Sequence, residues 1–113
     1  MYKIIYSNQS YIDLNEAISY IATQSRNNAL NYLLRYEEKI ELLALNPYIG
    51  IECKNKLIDR DCRVLVHESH IIVYKVKEDL KEIYLIRIFH GSVDYTNKVS
   101  SESNKWTKTV KYT

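Results

Sequence analysis

The sequence predicts an α+β domain: an N-terminal strand and an antiparallel helical hairpin, followed by a three-stranded antiparallel meander. Three observations carry this prediction: a β-branched and aromatic opening segment, two consecutive stretches with helical apolar spacing, and three later stretches of strand-like composition. At 113 residues the chain has the length of a single domain with one core.

Residues 2–6, Tyr-Lys-Ile-Ile-Tyr, contain one charge and favour extended backbone. Over residues 10–24, Tyr11, Leu14, Ile18, Ile21 and Ala22 recur every three or four positions and form one helical stripe. Asp13 and Glu16 fall in the first turns of that helix, where negative charge suits the macrodipole. Ser25 interrupts the pattern and is a suitable N-cap for a second helix, whose seam is Ala29, Leu33, Tyr36, Ile40 and Leu43. That helix ends at Asn46-Pro47, because proline disfavours helical backbone in the residue before it. The short link between the two helices makes them antiparallel.

Residues 47–61, with Gly50 and six charged side chains, fit either a surface loop or a short strand. Strands are expected at residues 62–67, 70–76 and 82–89, joined by the tight Glu68-Ser69 turn and a longer polar connection at 77–81. Alternation in the last strand puts Tyr84, Ile86 and Ile88 on one face and Ile83, Leu85, Arg87 and Phe89 on the other. The opening strand pairs with an edge of the meander, giving a four-stranded sheet with the helical hairpin on one face. The domain is expected to span residues 1–95. Residues 96–113, polar and lysine-bearing around Trp106, form a tail expected to be mobile or to dock on something.

The net charge is +2, but residues 1–94 hold twelve Lys/Arg against thirteen Asp/Glu, so the basic excess lies in the tail. A nearly neutral body argues against an extended nucleic-acid face. No apolar run approaches the ~18 residues of a membrane span, and the N-terminus lacks the pattern of a secretory signal, so a cytoplasmic protein without membrane contact is expected. In that compartment Cys53 and Cys62 read as reduced thiols, with a disulfide closing the charged loop between them as the lesser alternative. With only Gly50 and Gly91, the chain has no phosphate-binding glycine loop. His90 is expected to have no second histidine nearby, and neither a metal site nor a nucleophilic triad nor a cofactor is expected.

Arg63 opens one strand, Arg87 lies in the last, and His90-Gly91 follows where that strand ends. Taken singly, the arginines read as partners of acids such as Glu68 or Glu82, and the histidine as a hydrogen-bonded strand-end residue. Antiparallel pairing offers a way to bring the three to one side of the sheet. Of the eleven tyrosines, Tyr11, Tyr32, Tyr36, Tyr74 and Tyr84 are expected to pack, leaving Tyr95 and Tyr112 available for other work.

The order of these segments is more specific than any one of them. The opening Tyr-Lys-Ile-Ile-Tyr, Asp13-Leu14, Tyr20-Ile21-Ala22, Asn46-Pro47 with Gly50, Arg63, the strand at residues 71–75 and Arg87-Ile88-Phe89-His90-Gly91-Ser92-Val93-Asp94-Tyr95 together resemble the RelE/ParE toxin superfamily of bacterial toxin–antitoxin systems. The resemblance covers residues 2–95. It implies a growth-inhibiting toxin held in check by a cognate antitoxin protein, and it leaves two targets open.

The ParE-like branch, favoured by His90-Gly91 with Asp94 and by the long paired helices, implies a non-enzymatic inhibitor of DNA gyrase. Arg63, Arg87, His90 and Asp94 would then contact the target. Where that branch often has arginine after the glycine, this chain has Ser92-Val93. The RelE-like branch implies a ribosome-dependent endoribonuclease cutting messenger RNA, with Lys54, Lys56, Arg63, His90 and Tyr95 as catalytic residues. There the 2′-hydroxyl attacks the neighbouring phosphate, the cations stabilise the developing charge, and histidine or tyrosine moves protons. A third alternative is a non-toxic interaction domain of the same fold.

Overall fold

The computed structural model describes residues 1–53 and 62–91, together with the backbone of residues 106–110. Strand β1 (Lys3–Ser7) passes into helix α1 (Asn8–Gln24) with no loop between them. Ser7 makes the change of direction. Its hydroxyl accepts the Ser10 N–H at 3.0 Å and donates to the Ile86 carbonyl at 2.7 Å, while the Ser10 hydroxyl donates to the Ser7 carbonyl at 2.9 Å. One side chain thus caps a helix and ties it to the sheet. The helix starts two residues earlier than the apolar spacing suggests, which moves Asp13 into the second turn and leaves the first turn without an acid. Ser10 and Leu14 are buried, whereas Tyr11 is 48% exposed and lies edge-on to Tyr6.

Helix α2 (Arg26–Leu45) begins as expected, with the Ser25 hydroxyl accepting the Asn28 N–H at 3.1 Å. Ala29, Tyr32, Tyr36, Ile40, Leu43 and Ala44 are buried along it. The Tyr36 hydroxyl meets that of Tyr6 at 2.8 Å inside the core, joining α2 to β1. Asn46 terminates the helix, its N–H still bonded back to Leu42 and Leu43.

Strands β2 (Ile51–Glu52), β3 (Cys62–His67), β4 (His70–Lys77), β5 (Glu82–His90) and β6 (Trp106–Val110) complete the sheet, with a 3-10 turn at Glu78–Leu80 before β5. The sheet has six strands in the order β2-β3-β4-β5-β1-β6. β1 runs parallel to β5, pairing Ile4 with Ile83, and antiparallel to β6, pairing Ile4 with Val110. The expected four-stranded core is therefore present and extended by one strand at each edge. β1 is buried from Ile4 onward, so hydrogen-bonding groups on both of its sides need partners, and β6 covers the side that β5 does not.

The helices cover one face of the sheet, where Ile4, Tyr6, Leu65, Ile72, Tyr74, Ile83, Leu85 and Ile88 share a core with α1 and α2. A smaller cluster of Cys62, Val73 and Phe89, flanked by Ile71 and Ile86, lies apart from it. β5 does not keep the single alternation expected from its sequence. Val73 pairs with Arg87 and Tyr74 with Leu85, leaving Ile86 as the extra residue of a bulge. The phase changes there, so Ile88 joins Ile83 and Leu85 in the main core while Ile86 packs with Phe89.

Cys53 and Cys62 are joined in a disulfide, contrary to the reduced thiols expected. The reason is the short β2 strand, which the sequence left open. Its pairing with β3 places the Cys53 N–H 3.0 Å from the Cys62 carbonyl and the two Cα atoms 5.5 Å apart, within bridging distance. Among the described residues no helix is long and apolar enough to cross a membrane.

Candidate functional site

At the C-terminal end of β5, one side of the strand has no strand partner among the described residues. β1 ends at Ser7, beside Ile86, and no longer lines β5 beyond that point. Asp13, one turn into α1, takes the place of the missing strand. One of its carboxylate oxygens accepts the Ile88 N–H at 2.9 Å and the Arg87 Nε at 2.8 Å, and the other accepts Arg87 Nη2 at 3.1 Å. Both side chains are less than one-tenth exposed. The Arg87 guanidinium also lies 4.6 Å from the centre of the Phe89 ring. Arg87 is thus paired with an acid, as a structural arginine would be, but with Asp13 on α1 rather than Glu68 or Glu82.

His90 closes the strand and is exposed. It does have a second histidine nearby, contrary to expectation. The β4–β5 register sets it opposite His70, with ring centres 5.7 Å apart, and the β3–β4 register sets His70 opposite His67. His70 Nδ1 lies 2.9 Å from the Tyr32 hydroxyl of α2, and His67 lies edge-on to Tyr32 and Tyr36. Burial pushes both His67 and His70 below the ordinary imidazole range and raises the Tyr32 hydroxyl to about 12. Glu68, in the hairpin turn, is held below the usual carboxylate range by its hydrogen bond from Arg35 of α2. The Gly91 N–H donates to the Ser69 carbonyl at 2.7 Å, fixing the strand end to that turn. A Cβ on Gly91 would sit 3.2 Å from the same oxygen, a close approach that favours glycine. A groove of about 660 Å³ opens beside these groups, with Asp13, Tyr20, Tyr32, His70, Arg87 and His90 in its wall.

Arg63 belongs to a different assembly. Its Nη1 donates to the Gly50 carbonyl at 2.8 Å, its Nη2 is 3.6 Å from Glu52, and its guanidinium lies over the Tyr48 ring at 4.9 Å. The buried Tyr74 hydroxyl donates to the Pro47 carbonyl and accepts the Gly50 N–H, both at 2.9 Å. A Cβ on Gly50 would come within 2.5 Å of that hydroxyl and 2.8 Å of the Val64 carbonyl. Asn46-Pro47, Gly50, Arg63 and Tyr74 therefore form one unit that carries the chain from α2 into β2.

The candidate residues do not converge. Arg63 is at the start of β3 and His67 at its end, about 13 Å along an extended strand. His90 lines up with His67 through His70, at the opposite end of the sheet from Arg63. Arg63 is opposite Tyr74 of the main core, whereas Arg87 is opposite Val73 of the smaller cluster, so the two arginines occupy different faces. Lys54, Lys56, Asp94 and Tyr95 lie outside the described residues. Among the described residues no group of three or more His, Cys, Asp or Glu side chains is arranged to hold a metal ion.

Sequence reasoning missed Asp13, His70 and Tyr32 at this end of the sheet. The histidines carried a readable signal, because His67 and His70 flank a two-residue turn that makes them cross-strand neighbours. Asp13 carried none, since 74 residues separate it from Arg87.

Residues 4–95 match the family model described as the ParE toxin of the type II toxin–antitoxin system parDE. The match runs from β1 past the end of β5 and includes both helices. No curated protein matches the chain.

Proposed function

Because this chain belongs to the ParE toxin family of type II toxin–antitoxin systems, we propose that it inhibits DNA gyrase by direct binding and is neutralised by a cognate antitoxin. The observation that carries this reading is the family match across nearly the whole compact domain, on the ParE side of the superfamily the sequence resembles. The protein acts in the cytoplasm, where gyrase and its DNA are, and needs no cofactor. The target-contacting surface is the end of β5: exposed His90 and the following segment with Asp94, with Arg63 adding a second contact from the other end of the sheet. Arg87, 7% exposed and paired with Asp13, supports that surface by holding β5 against α1. The antitoxin supplies a segment that folds onto the toxin as it binds, and its gene lies beside this one.

The near neutrality of residues 1–94 supports a protein target over an RNA one, because a nuclease on the ribosome benefits from a strongly positive face. The distance between Arg63 and His90 also weighs against their sharing one scissile phosphate, which catalysis by positioning requires. Purified protein added to a gyrase supercoiling reaction is expected to block supercoiling, and the antitoxin to restore it. Unimpaired supercoiling at saturating protein, with codon-phased cuts in ribosome-bound message, would replace this reading with the endoribonuclease. Strong expression with no effect on growth would point to the non-toxic interaction domain.

A further inference from the structure

The three histidines of the chain all lie at one junction, where the tip of the β3–β4 hairpin meets α2 and the end of β5. His67 is 6% exposed, and its ring lies between the edges of Tyr32 and Tyr36. Nε2 of that ring has no hydrogen-bond partner among the described residues. The nearest acid, Glu68, is 3.6 Å from Nε2 but is already bonded by both Arg35 Nε and Arg35 Nη2. His70 bonds the Tyr32 hydroxyl and faces His90 across the strand.

The groups facing His67 and His70 come from every neighbouring element. α2 contributes Tyr32, Arg35, Tyr36 and Lys39, the hairpin turn contributes Glu68, and β5 contributes His90. A proton on buried His67 would meet Arg35 and Lys39 of α2, and one on partly buried His70 would meet His67 and His90, in each case against one carboxylate, Glu68, that is already paired. We propose that His67 and His70 form an acid-sensitive latch, which fastens the β3–β4 hairpin tip to α2 while neutral and releases it when protonated.

The sign follows from burial. Both imidazoles are pushed below their ordinary value of about 6.5 in the closed state, so the open state takes up protons first as pH falls. The latch is fully closed above that value and weakens below it. Glu68 does not cause the effect, because it is held below the usual carboxylate range and stays charged throughout this window. Unlike the gyrase reading, the latch concerns only how the chain holds itself together, and either can fail without the other.

Hydrogen exchange of the full chain, corrected for the intrinsic pH dependence, tests it between pH 7.5 and 5.5. Opening of amides in residues 32–36 and 65–71 is expected to rise at least tenfold on acidification, with a smaller change at Ile4, Ile5 and Ile83. In the doubly substituted His67→Gln, His70→Gln protein the hairpin tip is expected to change less than twofold. An equal acid response in that variant, or a uniform response across the wild-type sheet, would overturn the proposal. Should the variant not fold, imidazole titration of the wild type by NMR decides the matter. Midpoints below about 6.5 for both residues support the latch, and midpoints at or above it refute it.

Discussion

Asp13 is the residue whose role is hardest to guess and easiest to test. It replaces a strand: where β1 ends, its carboxylate takes the Ile88 N–H and the Arg87 guanidinium together. Removing one member of a buried pair strands the other, so Asp13→Ala is expected to cost about 3–5 kcal/mol in denaturant unfolding. Adding Arg87→Met should recover part of that loss, giving a coupling energy of about 1–3 kcal/mol. Strictly additive losses would mean that the two side chains do not act as a pair. Gly50 allows a second test. Because a methyl group there meets both the Tyr74 hydroxyl and the Val64 carbonyl, Gly50→Ala is expected to lower stability by about 1–3 kcal/mol, and an unchanged thermal midpoint would contradict the tight packing described. The two residues also show what a sequence displays at this scale. Ser25 was legible as a cap because its partner is three residues away, and Gly50 stood out as one of two glycines. Asp13 reads locally as a helix-start acid, and only the tertiary fold brings it to Arg87.

Elements are joined here by a few polar hubs as well as by the core. Glu78, in the 3-10 turn after β4, bonds Lys81 at 2.8 Å and the hydroxyls of Tyr2 and Tyr48 at 2.5 Å each. It thus links the start of β1, the segment after α2 and the β4–β5 connection. The bond from Lys81 first, then those from the two tyrosines, hold its carboxyl down at about 2. A carboxylate with a depressed pKa contributes stability above its unfolded value of about 4.5, and the contribution is lost as pH falls toward 2. The thermal midpoint of Glu78→Gln should therefore fall less than that of the wild type between pH 4.5 and 2.5. Parallel curves would show that the hub contributes nothing, since exposed pairs are often worth little. Helix and strand identities were legible because apolar spacing is local: Ser25 caps α2, and β3, β4 and β5 lie where their composition put them. What the spacing could not reveal were the Ile86 bulge, which one alternation rule cannot accommodate, and the two-residue β2, which exists only through its pairing with β3. The expected compartment argues against the disulfide, and the β2–β3 pairing that brings Cys53 to Cys62 is what the sequence did not display.

For the molecule as a whole, charge distribution proved more informative than net charge. A body of nearly balanced charge, with the basic excess beyond residue 94, suits a protein that recognises another protein by shape and a few placed groups. The fold class, the pairing of β1 with an edge of the meander and the family were all legible, because they depend on the order of segments rather than on single contacts; the parallel direction of that pairing came only from the structure. The site was less so. Arg63 and His90 share a face but lie at opposite ends of the sheet, and Arg87 is committed to Asp13, an arrangement set by register and by where β1 stops. The central claim, that this ParE-family chain acts on gyrase, is tested most directly by supercoiling of relaxed plasmid by purified gyrase across a titration of the protein. The account predicts loss of supercoiling that saturates with protein and is relieved in His90→Ala; full supercoiling at saturating wild-type protein would contradict it.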